Sequence, residues 1–167
     1  MKDHVFRSGV KTCVAVLLIL LCHGVQAQAP GEASPSAAVR VEIPTADLLQ
    51  PEDLERILRS SDGEKPLILQ VGSHVLYAEA HIPGSEYAGP AGQDAGLQAL
   101  QERVKGIERS KFIVLYCGCC PWNKCPNIRR AYQQLQALGF TRVKVLYIAT
   151  DFGTNWANKG YPVAKGR

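Results

Sequence analysis

The chain has little concentrated positive charge: it contains no run of basic residues and no stretch in which basic and aromatic residues alternate. Its formal net charge is +4 over 167 residues, and aromatic residues make up only 7%. A nucleic-acid-binding protein needs a dense basic surface with stacking groups, so the sequence gives no support to a nucleic acid partner. Internal repeats are lacking as well. With 46% hydrophobic residues, the composition is that of one ordinary globular domain.

A long hydrophobic run is also missing. The apolar stretch "CVAVLLILLC" falls short of the roughly 18–20 residues that a membrane-spanning helix needs. Basic residues precede it, and "HGVQAQA", with small residues at alternating positions, follows it; this is the pattern of a secretory signal peptide. We predict a signal peptide over residues 1–27, cleaved after Ala27 or Ala29, a flexible leader over 28–40 and one domain over 41–167. The protein is then periplasmic or secreted, without stable membrane insertion; an uncleaved N-terminal anchor is the alternative.

Cysteines that would tie distant segments together are absent. Two of the six cysteines fall within the predicted signal peptide. The other four, Cys117, Cys119, Cys120 and Cys125, lie within nine positions of one another. In an oxidising compartment, a disulfide inside so short a loop gains little chain entropy. The clustering therefore points to thiol chemistry more than to a disulfide scaffold.

Short apolar runs alternate with amphipathic segments along the predicted domain. Continuous apolar runs suit strands buried on both faces of a parallel sheet, and hydrophobic residues at steps of three and four suit helices. The predicted elements are helices within 44–65, 96–109 and 127–140, and strands over 66–71, 112–116 and 143–148. This alternation predicts an α/β fold with a central, mostly parallel sheet flanked by helices.

The cysteine cluster falls at a position where such folds bind ligands. Cys117 directly follows the strand 112–116 and comes before the helix predicted over 127–140. Ligands of open α/β sheets bind at the carboxyl ends of the strands. The cysteine loop is therefore the candidate functional site.

Three sequence blocks carry a family resemblance. "PLILQV" is followed by "EAHIPGS" at 79–85, "IVLYC" spans 113–117, and "LGFTRVKVL" is followed by "WANKGYPV" at 156–163. In this order and spacing, the chain resembles a rhodanese-like domain of the sulfurtransferase family, from about residue 41 to residue 165. The resemblance implies a three-layer fold with Cys117 as the nucleophile that becomes a persulfide, without a cofactor. The implied partner is a small sulfur donor such as thiosulfate, or a protein thiol.

The same resemblance implies an anion-binding loop around the nucleophile. Backbone N–H groups and a helix N-terminus supply positive potential, which lowers the pKa of a thiol and attracts an anionic donor. The candidate residues of this loop are Gly118, Trp122, Lys124, Arg129 and Arg130. Each cation has a plain alternative role as a solvated helix charge, and Trp122 could either cover the site or pack on the domain.

The loop departs from the usual family pattern. The helical pattern resumes only near Pro126, so the loop is longer, and Trp122 stands where the family usually has an arginine. The first strand ends in Gln70-Val71-Gly72 where the family usually has Asp-Val-Arg. These differences leave the fold prediction intact, and they bring simple transfer of sulfur from thiosulfate to cyanide into question.

Thiol–disulfide exchange is the main alternative function. Cys117 and Cys120 form a C-x-x-C between a strand and a helix, which is also the arrangement of thioredoxin-like proteins. Cys117 would attack, and Cys120 or Cys125 would resolve the mixed disulfide. A hybrid is chemically reasonable, in which a thiol neighbouring Cys117 resolves its persulfide. Cys119, Cys120 and Cys125 are thus candidate resolving or disulfide-forming residues.

The third alternative is a non-catalytic module that keeps the rhodanese-like fold, binds a metal or a partner, and uses the cysteines as metal ligands or in a structural disulfide. Cys117, Cys120 and Cys125 have spacings that suit zinc or Cu(I), but the sequence lacks a second C-x-x-C and a close histidine pair, so we predict no metal. A Cys120–Cys125 disulfide would stiffen the loop and leave Cys117 reactive. Outside the loop, we expect His81 to support a turn and Trp156 to lie in the core.

Overall fold

The computed structural model describes residues 42–166. The predicted signal peptide and leader lie outside the described residues, as do the first two cysteines of the chain. Within the described part, none of the helices combines the length and the apolar character needed to cross a membrane.

Five strands form one sheet. They are β1 (Leu48–Leu49), β2 (Leu67–Gln70), β3 (Glu86–Tyr87), β4 (Ile113–Tyr116) and β5 (Val143–Leu146). Every pairing is parallel, and the order across the sheet is β1-β5-β4-β2-β3. The three central strands are the three predicted from continuous apolar runs, which confirms the predicted α/β class. The two edge strands have two residues each and are too short to show a hydrophobic pattern.

Five helices accompany the sheet. They are α1 (Pro51–Arg59), α2 (His74–Glu79), α3 (Asp94–Arg103), α4 (Pro126–Ala137) and α5 (Phe152–Asn155). The predicted start of α4 near Pro126 and its stop at Gly139, which has φ +85°, are both confirmed. The prediction of a helix to residue 109 is wrong, because α3 ends at Arg103 and the chain turns through Gly106 at φ +77°.

Alternating side chains of the sheet build two hydrophobic cores. On β4, Ile113 and Leu115 face the core beneath α3 and α4, whereas Val114 and Tyr116 face the opposite core with Trp156. All four side chains are buried. The sheet therefore lies between two layers, which is the three-layer arrangement predicted, and Trp156 is fully buried as expected.

The register of β2 and β4 places the functional loop. Gln70 pairs with Tyr116 at the carboxyl ends of the two strands, and the Val71 N–H donates to the Tyr116 carbonyl at 2.9 Å. Gly72 and Cys117 directly follow the two residues joined by this hydrogen bond, and they therefore leave the sheet side by side.

Candidate functional site

A left-handed turn at Gly118 shapes the start of the cysteine loop. Gly118 has φ +83°, and a Cβ there would lie 2.8 Å from the Cβ of Phe152. The Gly118 carbonyl accepts a hydrogen bond from the Phe152 N–H at 2.9 Å. Glycine is thus required both by the backbone conformation and by the close approach of α5. This turn directs Cys119 back toward Cys117.

Gln70 fixes the backbone on both sides of the site. Its side chain is 1% exposed. The Nε2 donates to the Cys117 carbonyl at 3.0 Å, and the Oε1 accepts from the Gly72 N–H at 3.1 Å. Gln70 stands where the family usually has an aspartate, and an amide suits this position because it can donate and accept at once. The substitution therefore retains a positioning role.

Asn127 holds the sulfur of Cys117 from the first turn of α4. The Gly92 N–H can only donate, so the oxygen of the Asn127 amide faces it, at 2.6 Å. The Nδ2 must then point the other way, and it donates to the Cys117 Sγ at 3.4 Å. A hydrogen bond from an N–H to sulfur favours the thiolate. Asn127 was not among the site residues predicted from the sequence, although it is an amide at the start of the helix that follows the cysteine loop.

The four thiols form a chain of close sulfur atoms. The Cys119 Sγ lies 3.2 Å from the Cys117 Sγ and 3.2 Å from the Cys120 Sγ. The sulfur atoms of Cys117, Cys119 and Cys125 lie within 4.8 Å of one another. Cys117 and Cys125 are buried, Cys120 is half-buried and Cys119 is exposed. All four are free thiols, so the Cys120–Cys125 disulfide stays a prediction.

The grouping of the sulfur atoms differs from the one that motif spacing suggested. The C-x-x-C pairs Cys117 with Cys120, whereas the structure brings Cys119, not Cys120, into one group with Cys117 and Cys125. Three thiolates at this spacing suit a soft ion such as Cu(I), which accepts three sulfur ligands. A metal at this site would be held by that group.

Cys125 is placed to carry negative charge. It is the N-cap residue of α4 and is fully buried. The neighbouring Cys117 thiol, together with the backbone N–H groups of Ile128 and Asn127 and the Cys120 side chain, lowers the pKa of Cys125 to about 5. Orphan N–H groups at a helix N-terminus favour a thiolate there. The same interaction with Cys125, with burial, raises the pKa of Cys117 in the resting pair.

A cleft of about 340 Å³ opens beside the loop. The cysteine loop contributes Cys117, Gly118 and Cys119 to its lining, and Cys125 is not part of it. Two carboxylates, Glu79 and Asp151, also line the cleft, and no lysine or arginine of the described residues does. Asp151 additionally accepts from the Thr154 N–H at 2.7 Å, which caps α5. The cleft is therefore acidic rather than basic.

The cations predicted for the loop point away from this cleft. Lys124 and Arg129 are exposed. Arg130 pairs with the Asp94 carboxylate at 2.6 Å and donates to the Gly92 carbonyl at 2.7 Å. Among the predicted anion-binding residues, Gly118 alone lines the cleft.

Trp122 packs on the domain instead of covering the cleft. Its ring lies 6.2 Å from that of Tyr147, and the backbone N–H of Trp122 donates to the Ile148 carbonyl at 2.9 Å. The side chain is partly buried against the core beneath α3 and α4. These contacts fix the outer part of the cysteine loop to the end of β5.

His81 has the structural role expected of it. Its ring is buried, stacks on Tyr77 at 3.9 Å, and makes a hydrogen bond through Nδ1 with the Tyr77 carbonyl at 2.8 Å. Next to it, the Tyr116 hydroxyl lies 3.0 Å from the Ser85 hydroxyl and accepts from the Ile82 N–H at 3.2 Å. This network fixes the wall of the cleft behind Tyr116.

The family relationship follows from comparison with known proteins. The profile of the rhodanese-like domain matches residues 50–148, a span that includes the whole cysteine loop. The chain belongs to the rhodanese-like domain family. No curated protein matches the chain.

Solved structures share the fold of this rhodanese-like protein at low sequence identity. The Alr3790 protein from Anabaena sp. is 20% identical with a TM-score of 0.55, over 71% of this chain and 92% of that chain. The BH2092 protein from Bacillus halodurans is 22% identical with a TM-score of 0.53, over 70% and 75% of the two chains. An EanB variant, in complex with ergothioneine covalently linked with a persulfide cysteine, is 19% identical with a TM-score of 0.52. That match covers 72% of this chain and 32% of EanB.

Proposed function

We propose that this rhodanese-like domain carries or transfers sulfane sulfur as a persulfide on Cys117. The observation that carries the proposal is the setting of this sulfur atom. Cys117 lies at the carboxyl end of β4 and lines the cleft; its sulfur accepts a hydrogen bond from the Asn127 amide, and the Cys119 backbone N–H beside it lowers its pKa. Both donors stabilise a thiolate and then the anionic persulfide that replaces it.

The first step is attack by Cys117 on a sulfane sulfur in the cleft. The Cys117 proton passes to the Cys125 thiolate beside it, and the Cys117 Sγ bonds to the sulfane sulfur of the donor. The sulfur–sulfur or equivalent bond of the donor breaks, and the leaving group departs with its electron pair. A nucleophilic acceptor takes the outer sulfur in a second step, which restores the Cys117 thiolate. The persulfide cysteine of EanB supports this chemistry on the same fold.

The charge of the cleft favours donors without dense negative charge. Glu79 and Asp151 line it, while Lys124 and Arg129 face solvent. A dianion such as thiosulfate meets repulsion there, whereas a low-molecular-weight persulfide or a protein persulfide does not. We also propose that the domain works in the periplasm or outside the cell, because residues 1–27 have the signal-peptide pattern.

Intact mass spectrometry of the reduced protein tests the proposal. After brief incubation with a low-molecular-weight persulfide or, at a lower rate, with thiosulfate, we expect a species that is heavier by one sulfur atom and is lost on treatment with cyanide. The Cys117→Ser variant should not form it, whereas the matched control Cys120→Ser should. An adduct of equal yield in Cys117→Ser, or no adduct with either donor in any variant, would show that Cys117 does not carry sulfur.

Thiol–disulfide exchange remains a second candidate because the Cys117 and Cys119 sulfur atoms lie only 3.2 Å apart. Mixed disulfides with a protein thiol would accumulate in a variant that lacks the resolving cysteine. If no variant in which one of the four cysteines is replaced accumulates mixed disulfides, that result would argue against this function.

A further inference from the structure

Cys125 lies behind Cys117 as seen from the cleft. Cys117 is part of the cleft wall, whereas Cys125 is fully buried and contributes nothing to that wall. The sulfur atoms of the two residues nevertheless lie within 4.8 Å of each other. Cys117 therefore lies between the cleft on one side and a second thiol on the other.

Displacement at sulfur requires this kind of arrangement. A thiolate attacks a sulfur–sulfur bond along its axis, so the nucleophile and the leaving sulfur lie on opposite sides of the sulfur under attack. A persulfide on Cys117 has its outer sulfur in the cleft, where there is room for it, and Cys125 faces the inner sulfur from behind. We propose that Cys125 resolves the Cys117 persulfide, forming a Cys117–Cys125 disulfide and releasing the outer sulfur into the cleft as hydrosulfide. This inference rests on the proposed persulfide on Cys117.

The step is balanced within the site. The Cys125 sulfur bonds to the Cys117 sulfur, and the bond between Cys117 and the outer sulfur breaks. The proton that Cys125 received from Cys117 leaves with the outer sulfur as HS⁻. The sulfane sulfur gains two electrons, and the two cysteine sulfur atoms lose them as they become a disulfide. A further turnover needs an external dithiol, which is oxidised as it reduces the disulfide; Cys117 meets it at the cleft.

The other two cysteines are less suited to this step. Cys119 lines the cleft and therefore meets the outer sulfur, so its attack would move the sulfane sulfur to Cys119 without releasing sulfide. Cys120 is half-buried and contacts Cys119 at 3.2 Å, and it is not part of the group of three sulfur atoms that includes Cys117. The direction of approach thus distinguishes Cys125 from its neighbours.

The environment of Cys125 supports its role as the attacking group. Because Cys125 lies at the N-terminus of α4, the backbone N–H groups of Asn127 and Ile128 lower the pKa of its thiol. These donors favour the thiolate of Cys125, which is the attacking form. Complete burial also shields it from external oxidants and alkylating agents, so its partners are neighbouring thiols, of which Cys117 is the one that lines the cleft. The site as a whole becomes a dithiol-dependent reductase of sulfane sulfur.

A single-turnover experiment tests the inference. The fully reduced protein is loaded with one equivalent of a low-molecular-weight persulfide, desalted, and followed without added thiol. We expect one sulfide per loaded protein, detected as its bimane derivative, and a Cys117–Cys125 disulfide in the peptide map. In Cys125→Ser the persulfide should persist, and sulfide release should slow by roughly tenfold or more because the intramolecular route is gone. Cys120→Ser is the matched control and should release sulfide at the wild-type rate.

Two further readouts keep the result unambiguous. The release rate of the wild-type protein should not depend on protein concentration, since the step is intramolecular. Because Ser suits the N-cap position, Cys125→Ser should fold, and the wild-type peptide map gives the pairing independently of any variant. A stable wild-type persulfide, or a disulfide between Cys117 and Cys119, would overturn the inference while leaving the persulfide proposal in place. Failure of every variant to load sulfur would overturn both.

Discussion

Replacing Asn127 by aspartate separates the chemical role of this residue from its structural role. The carboxylate still accepts a hydrogen bond from the Gly92 N–H, which the Asn127 oxygen accepts now at 2.6 Å. It has no N–H to donate, so the hydrogen bond to the Cys117 sulfur, 3.4 Å long, is lost. A negative charge also replaces a neutral amide beside a sulfur that must itself become negative. We therefore expect a slower reaction from a protein that remains folded.

The size of the effect follows from the two hydrogen bonds. A hydrogen bond to a charged group contributes about 1.5–3 kcal/mol, so losing the one to sulfur should slow persulfide formation by roughly 10- to 100-fold near pH 7. The apparent pKa of the reaction should rise, because both changes disfavour the thiolate. The free energy of unfolding should change by less than about 1 kcal/mol, since the Gly92 N–H keeps its partner.

Rapid-quench mass spectrometry gives the rate of persulfide formation as a function of pH, and urea denaturation gives the stability. Asn127→Ala serves as the comparison variant. It removes both hydrogen bonds, so it should lose about 1–3 kcal/mol of stability through the unsatisfied Gly92 N–H and react faster than Asn127→Asp, because it adds no charge. An Asn127→Asp protein that reacts within about twofold of the wild-type rate would refute the reasoning that the amide stabilises the reactive sulfur.

Two further predictions concern the loop and its buried thiol. In thermal unfolding, Gly118→Ala should destabilise the protein more than Gly63→Ala. Both alanines carry the cost of a left-handed conformation, about 1–2 kcal/mol. Only the alanine at position 118 would also meet the Phe152 Cβ, at 2.8 Å, whereas a Cβ at position 63 has open space around it. Equal destabilisation would mean that α5 moves away freely. The second is a pH dependence. The folded state lowers the pKa of Cys125 from 9.0 to about 5, so the unfolded chain binds the extra proton between these values and stability should rise with pH across that window. That stability is lost as pH falls through about 5. In urea denaturation under reductant, the free energy of unfolding should therefore rise more steeply between about pH 5 and 8 for the wild-type protein than for Cys125→Ser. Parallel curves for the two proteins would contradict this prediction.

The parts of the fold that the sequence predicted are those with strong local signals. The continuous apolar runs predict β2, β4 and β5 because central strands of a parallel sheet are buried on both faces. Pro126 and Gly139 mark the two ends of α4, since proline suits a first helical turn and glycine a left-handed stop. The end of α3 was missed because its apolar pattern continues to residue 107, beyond the turn at Gly106. The spacing of apolar residues cannot distinguish a continuing helix from a backbone turn when the side chains that follow the turn stay buried against the same core.

The parts of the site that the sequence did not predict depend on contacts between distant segments. Gln70 reaches Cys117 across 47 positions, and Asn127 reaches Gly92 across 35. Neither residue type is informative by itself, because asparagine and glutamine serve equally well on a solvated surface. Motif spacing also paired Cys117 with Cys120, since it ignores the left-handed turn at Gly118. That single backbone conformation brings Cys119 next to Cys117 instead.

The charges around the cleft connect these findings to the donor. In this chain the cations that follow the cysteine loop are directed to solvent or, for Arg130, paired with Asp94. Near the reactive sulfur lie neutral N–H donors and the Cys125 thiol, and the carboxylates of Glu79 and Asp151 line the cleft. Neutral donors can stabilise a single negative charge on sulfur, but they do not offset the repulsion that a dianion meets from two carboxylates. On the proposed function, we therefore expect the site to hold an anionic persulfide on Cys117 and to react slowly with a donor that carries two negative charges.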